Sequence, residues 1–137
     1  MALDPAALPP EVVAFAAERH LATLTTLRPD GTPHVVPVGF TWDPDAALVR
    51  IITFAPSRKV RNLRAPAARR GAAPARAVVC QVDGVRWLSF EGPASVTADP
   101  DRVAEAVRRY AVRYRQPGER ADRVAIEIAV DRVLGRA

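Results

Sequence analysis

Leu21-Ala22-Thr23-Leu24-Thr25-Thr26-Leu27-Arg28-Pro29-Asp30-Gly31-Thr32-Pro33-His34-Val35-Val36-Pro37-Val38-Gly39-Phe40-Thr41-Trp42 is the stretch that decides the fold. Its first seven residues alternate leucine or alanine with threonine, the pattern of a strand with one apolar face. Pro29-Asp30-Gly31 is turn chemistry: proline presets φ, aspartate bonds its own backbone, and glycine accepts a positive φ. His34 to Trp42 then reads as the returning strand. Pro37 has no N–H for a ladder, so this strand is an edge there or carries a bulge. Gly39 permits close approach by another part of the molecule.

Working outward, Asp43-Pro44-Asp45 turns the chain and Ala47 to Phe54 is a third strand. Ser57 caps a short helix running through Leu63. Residues 65–76 are small and punctuated by Pro66, Gly71 and Pro74, a loop longer than usual in a compact domain. Ala77 to Val82 is a fourth strand, Asp83-Gly84 a hairpin turn, and Arg86 to Glu91 a fifth, running past Gly92-Pro93 into Ala94-Ser95-Val96. Asp99-Pro100 starts a helix reaching about Arg115, with Val103, Val107, Tyr110 and Tyr114 on one stripe. Pro117-Gly118 stops it. Arg123 to Val130 alternates as a last strand, which Val133-Leu134-Gly135 extends. Upstream, Pro9-Pro10-Glu11 opens a short helix ending near His20. Tight antiparallel connections and few helices predict a mainly β (α+β) chain, a closed or partly closed barrel of about six or seven antiparallel strands with two to three helices. The 137 residues make one domain.

Charge is the next signal. The net charge is +5, and of 20 basic residues only Lys59 is a lysine. Arginine and alanine richness is what a GC-rich genome produces, which discounts the arginine count. The arginines are also scattered, and only Tyr110 and Tyr114 interleave with them, so nucleic acid is not an expected partner. A single cysteine, Cys80, excludes an internal disulfide and a Cys-rich metal site. No run approaches the roughly 18 apolar residues of a membrane helix. The opening Met1-Ala2-Leu3-Asp4-Pro5 has no basic n-region, so a cytoplasmic protein is expected.

Most enzyme constellations are missing. His20 and His34 show no metal spacing. Ser57, Ser89 and Ser95 lack a nucleophile-elbow context, and no glycine-rich nucleotide loop is present. What remains is a strand with Pro37 and Gly39 inside it, and the basic segment Ser57-Arg58-Lys59-Val60-Arg61-Asn62 at a helix start. A helix start offers unpaired N–H groups and partial positive charge to a phosphate, and lysine adds a mobile point charge. This suits a phosphate-bearing cofactor whose flat ring lies along the strand. If the cofactor is the catalyst, missing catalytic side chains are not a puzzle.

Residues 21–38, the segment Ser57 to Leu63, and Val82-Asp83-Gly84 with Trp87-Leu88-Ser89-Phe90-Glu91-Gly92 together resemble the split β-barrel flavin and deazaflavin oxidoreductases, the pyridoxamine-phosphate-oxidase-like class with its FMN-binding-like fold. The likeness covers about residues 11–135. The run Cys80 to Ser89 is similar to the biliverdin reductases of the branch that uses coenzyme F420. The resemblance implies a homodimer with F420 at the subunit interface. Lys59 and Asn62 would hold the phosphate, helped by Ser57 or Arg58. His34, Val35, Val36, Pro37 and Val38 would line the deazaflavin ring, largely by main chain, and Trp87 would sit close to the interface. It implies hydride transfer from reduced F420 to a conjugated acceptor, biliverdin first among tetrapyrroles. FMN in place of F420, and a non-catalytic carrier of F420, flavin or haem, are the alternatives. No catalytic side chain or metal is assigned.

Overall fold

The computed structural model describes residues 2–67 and 73–137. The elements are β1 (Ala2–Leu3), α1 (Pro10–Ala17), β2 (Ala22–Leu27), β3 (Pro33–Val38), β4 (Thr41–Asp43), β5 (Leu48–Phe54), α2 (Arg58–Ala67), β6 (Arg76–Asp83), β7 (Arg86–Thr97), α3 (Pro100–Arg113), β8 (Arg123–Ala129) and β9 (Arg132–Arg136). Every ladder is antiparallel. The strands follow the order β3-β2-β6-β7-β8-β5-β4, with β9 pairing β7 and β1.

The path folds into a barrel because β7 changes partners. Trp87 to Glu91 pair with β9, whereas Ala94 to Thr97 pair with β8. The bend falls at Gly92-Pro93, where a side chain on Gly92 would run into the Ala129 carbonyl. Inside the barrel Trp42 stacks on Phe90 at 4.8 Å, and Phe40 lies 5.7 Å from the same ring. Leu24, Val49, Ile51, Val79, Leu88, Ile126 and Val133 fill the remaining core. Their spacing is the period-2 alternation of the strands themselves.

The expected second strand is in fact two. β3 pairs with β2 and β4 with β5, so they sit at opposite ends of the sheet path. Between them, Phe40 N–H donates to the Tyr114 hydroxyl at 3.3 Å and the Phe40 carbonyl accepts from Arg113. Side chains of α3 therefore satisfy the peptide that would otherwise extend a ladder. Gly39 is required here, since a Cβ would lie 2.9 Å from Tyr110 Cε2 and 3.0 Å from Tyr114 Cε2. Residues 132–136 likewise form a separate strand rather than extending β8, because the Asp131 N–H turns to bond the Glu91 carbonyl at 3.0 Å. These breaks, with the two-residue β1, explain nine strands among the described residues where six or seven were expected.

The loop expected over 65–76 is shorter at both ends. Ala65 to Ala67 continue α2, and Arg76 begins β6. Pro66 lies inside the last turn of α2, where it has no N–H to give the carbonyl four residues back, and the helix ends one residue later. Residues 68–72 of that loop lie outside the described residues. Among the described residues no helix is long and apolar enough to cross a membrane.

Candidate cofactor site

A cleft of about 320 Å³ opens where β3, β5 and the start of α2 meet the C-terminal part of α3. Pro37, Val38 and Gly39 form one wall and Ile52, Thr53 and Phe54 another. Lys59, Tyr110 and Arg120 complete it. The Lys59 ammonium lies 5.5 Å from the Phe54 ring and the Arg120 guanidinium 4.6 Å from the same ring.

Local chemistry explains why positive charge collects here. α2 has no acidic residue in its first turn, and its sequence places Arg58 and Lys59 at the positive end of the helix dipole. That arrangement opposes the usual preference, which puts carboxylates at a helix start. Arg58, Lys59 and Arg61 make no ion pair among the described residues. Burial holds the Lys59 ammonium below the ordinary lysine value. An unneutralised, partly desolvated cation beside a cleft is the electrostatic form of an anion site.

His34 belongs to the same neighbourhood. Burial first, and then the charges of Arg28, Lys59 and Arg58, keep its imidazole below the usual histidine value. Its Nδ1 is buried without a partner among the described residues. The imidazole is therefore neutral at pH 7 and has one ring nitrogen to offer.

The other expected residues take distinct places. β3 alternates, so His34, Val36 and Val38 are the more sheltered positions, while Val35 and Pro37 are exposed. β3 pairs only with β2 among the described strands, leaving one edge of its backbone available. Ser57 is buried, and its hydroxyl accepts from Thr53 Oγ1 at 3.4 Å. Its carbonyl takes the Arg61 N–H at 3.1 Å, as an N-cap residue's does. Asn62 is 2% exposed and donates its amide to Thr26 Oγ1 at 3.0 Å. It ties α2 to β2, with its Oδ1 unpartnered. Trp87 does not line this cleft; on β7 it stands opposite Val82 and Arg136. Thr53, Phe54, Tyr110, Arg120 and Arg123 line the cleft without having been expected at a cofactor site. Thr53-Phe54 lie just ahead of the basic segment and offered the one available sequence signal.

Cys80 is half-buried and burial raises its thiol above the ordinary value, which makes it packing rather than chemistry. Glu91 is paired with Arg76 at 3.2 Å.

The family model described as "Pyridoxamine 5'-phosphate oxidase" matches residues 8–137. The chain belongs to that family. Within it, the sequence is 52% identical over 127 residues to an F420H2-dependent biliverdin reductase of Mycobacterium tuberculosis, covering 93% of this chain and 87% of the relative. A solved structure described as an F420 reductase superposes with a TM-score of 0.71 at 25% identity, covering 93% of this chain and 98% of the other. A conserved hypothetical protein of Mycobacterium tuberculosis gives a TM-score of 0.76 at 23% identity over 99% of this chain and 89% of its own. The split β-barrel that the resemblance implied agrees with the mainly antiparallel structure and with these neighbours.

Proposed function

We propose that this protein is an F420-dependent oxidoreductase that reduces biliverdin to bilirubin, with the deazaflavin phosphate at the start of α2. The observation that carries the site is the pair Arg58–Lys59, placed without acidic partners at a helix N-terminus beside a cleft walled by Pro37, Val38 and Gly39. The relative's activity supports the substrate. When bound, F420 supplies the hydride. The chain's own residues do the rest. Lys59 and Arg58 neutralise the phosphate, and the sheltered side of β3 with its free edge supports the ring. Tyr110 and Arg120 close the side of the cleft away from α2. Asn62 positions α2 against β2 rather than touching the phosphate first.

The same proposal includes a homodimer. On the outer face of β3, β2, β6 and β7, the register sets Val35 beside Thr25 and Val78, Pro33 beside Leu27, and Val82 beside Trp87. Leu27, Val35 and Val82 are all exposed there. A monomer rarely leaves so continuous an apolar face in water, and covering it places Trp87 at the interface. Light scattering of a Val82→Asp chain should read one subunit where the parent reads two.

The cofactor assignment is tested by fluorescence titration with oxidised F420 and, in parallel, FMN. Tight F420 binding that weakens by about 1–3 kcal/mol in Lys59→Ala is expected for a lost charge-assisted contact. Unchanged affinity in that variant would remove the phosphate assignment. FMN also carries a ribityl phosphate and a tricyclic ring, so preference for it would withdraw F420 and biliverdin together. Binding of F420 without bleaching of biliverdin absorbance by the reduced cofactor would leave a carrier.

A further inference from the structure

A second cavity, of about 370 Å³, lies between α1 and α3 over the free edge of β4. It shares no lining residue with the Lys59 cleft. Its walls combine apolar side chains with cations. Val13, Ala17 and Val112 provide the apolar surface, and Val112 is exposed at the mouth. Arg19, Arg108, Arg109 and Arg113 line it as well, and no carboxylate does.

The charges are only partly balanced. Glu105 pairs with both Arg108 and Arg109. Asp43 takes Arg109 at 3.1 Å and Arg50 at 2.9 Å. Arg113 bonds the Glu18 and Phe40 carbonyls and the Gln81 amide oxygen, none of which is charged. Arg19 has no ion pair among those of the described residues. Of the four arginines in the lining, Arg108 and Arg109 are paired with carboxylates and Arg19 and Arg113 are in no ion pair among the described residues.

The inner end is polar and unsatisfied. Thr41 and Trp42 line the cavity, are 7% and 8% exposed, and their Oγ1 and Nε1 have no hydrogen-bond partner among the described residues. Buried donors of this kind are normally paired, because leaving them unpaired costs about 1–3 kcal/mol each. The cavity is at the small end of the ligand-site range, and its mix of apolar wall with a few convergent donors is that of a small-molecule site.

We propose that this cavity binds a compact aromatic carboxylate. The carboxylate reaches the Thr41 hydroxyl, with Arg109 and Arg113 supplying the field, while Trp42, its ring turned to Phe90, reports from the adjoining wall. The ring lies between Ala17 and Val112, and Arg19 and Arg108 attract the anion at the rim. The site is independent of the F420 reading.

The test uses 2-naphthoate as the probe on the full chain. The protein has two tryptophans, so its 15N-indole spectrum has two signals, and Trp87→Phe assigns them. Saturable movement of the Trp42 indole signal alone is expected, with the methyl ester binding roughly tenfold more weakly for want of a charged acceptor. Ala17→Phe fills the cavity and should abolish the response. Val112→Glu, on an exposed helix position that leaves folding intact, should weaken it roughly tenfold by like-charge repulsion. A Trp42 signal that does not move overturns the proposal. So does equal binding of acid and ester, an unchanged response in a folded Val112→Glu chain, or displacement of the naphthoate by F420.

Discussion

Lys59 and Arg113 are both cations drawn partly out of water, and they are held for opposite ends. Lys59 stands at the start of α2 beside an open cleft, with no ion pair among the described residues and burial holding its ammonium below the usual value. Arg113 stands at the end of α3, also lowered by burial, and its guanidinium is taken up by carbonyls: Glu18 at 2.7 and 2.9 Å, Phe40, and the Gln81 amide. Its ring neighbours are Phe40 at 4.5 Å and Tyr114 at 5.1 Å. The flat fork of arginine can satisfy several fixed acceptors at once, whereas an ammonium on a flexible stem suits an arriving anion. One cation is taken up by the fold, and the other is the one we propose for a ligand.

Removing Arg113 should give the largest effect. Arg113→Ala strands the Gln81 oxygen, in a side chain that is fully buried, and releases the α1 end and the β3–β4 joint. We expect a loss of about 3 kcal/mol, or about 10 °C in thermal midpoint. A chain that melts with the parent yet binds F420 poorly would collapse the contrast. Lys59→Ala should do the reverse: weaker F420 binding by about 1–3 kcal/mol with the melting midpoint unchanged or slightly raised, since a desolvated charge is removed. Calorimetric melting beside the F420 titration separates the two behaviours.

Gly39 lies between these sites, and its substitution sharpens the comparison. Gly39→Ala forces the Tyr110 and Tyr114 rings aside and should cost about 1.5 kcal/mol. In a Tyr110→Leu background the added cost should shrink, measured as a coupling energy from denaturant midpoints. The smallest effect concerns pH. Because His34 is held below its ordinary value of 6.5, the unfolded chain binds more protons than the folded one in the window below 6.5. Stability from this group is present above that window and falls as pH drops through it. His34→Gln should remove that share of the decline, read as a smaller difference between urea midpoints at pH 7 and pH 5.

Local signals in the chain were reliable where one residue's chemistry was sufficient. Gly31 and Gly84 adopt φ of 86° and 61° in the turns expected of Asp30-Gly31 and Asp83-Gly84. Asp99 caps α3 by accepting the Arg102 N–H at 3.0 Å. The break between β3 and β4 was not legible in that way. It depends on Tyr110, Arg113 and Tyr114, more than 70 residues further along, reaching Gly39 and Phe40. The site divides similarly. Lys59, Pro37 and Val38, all named from the sequence, line one cleft. Arg120 and Arg123 arrive from beyond α3, and nothing in their own sequence distinguishes them from the other arginines. Asn62 was visible as a polar residue next to a basic run, but its bond to Thr26 appears only when α2 lies on β2.

The joint at Gly39-Phe40 also bears on how quickly the molecule can assemble. β3 and β4 occupy opposite ends of the sheet path while only two residues separate them in the chain. The hairpins β2–β3 and β4–β5 are each local, so forming both already ties the two edges of the barrel together at little entropic cost. The distant searches include β2 with β6 and β5 with β8, where Phe54 must find Arg123 and Leu48 must find Ala129. Non-local pairing of that kind is what slows β-rich chains. Refolding should therefore slow in Val36→Ala, whose hairpin is in place before the long-range search ends, as well as in Ile51→Val, with the seam of the barrel already in place before its walls are complete.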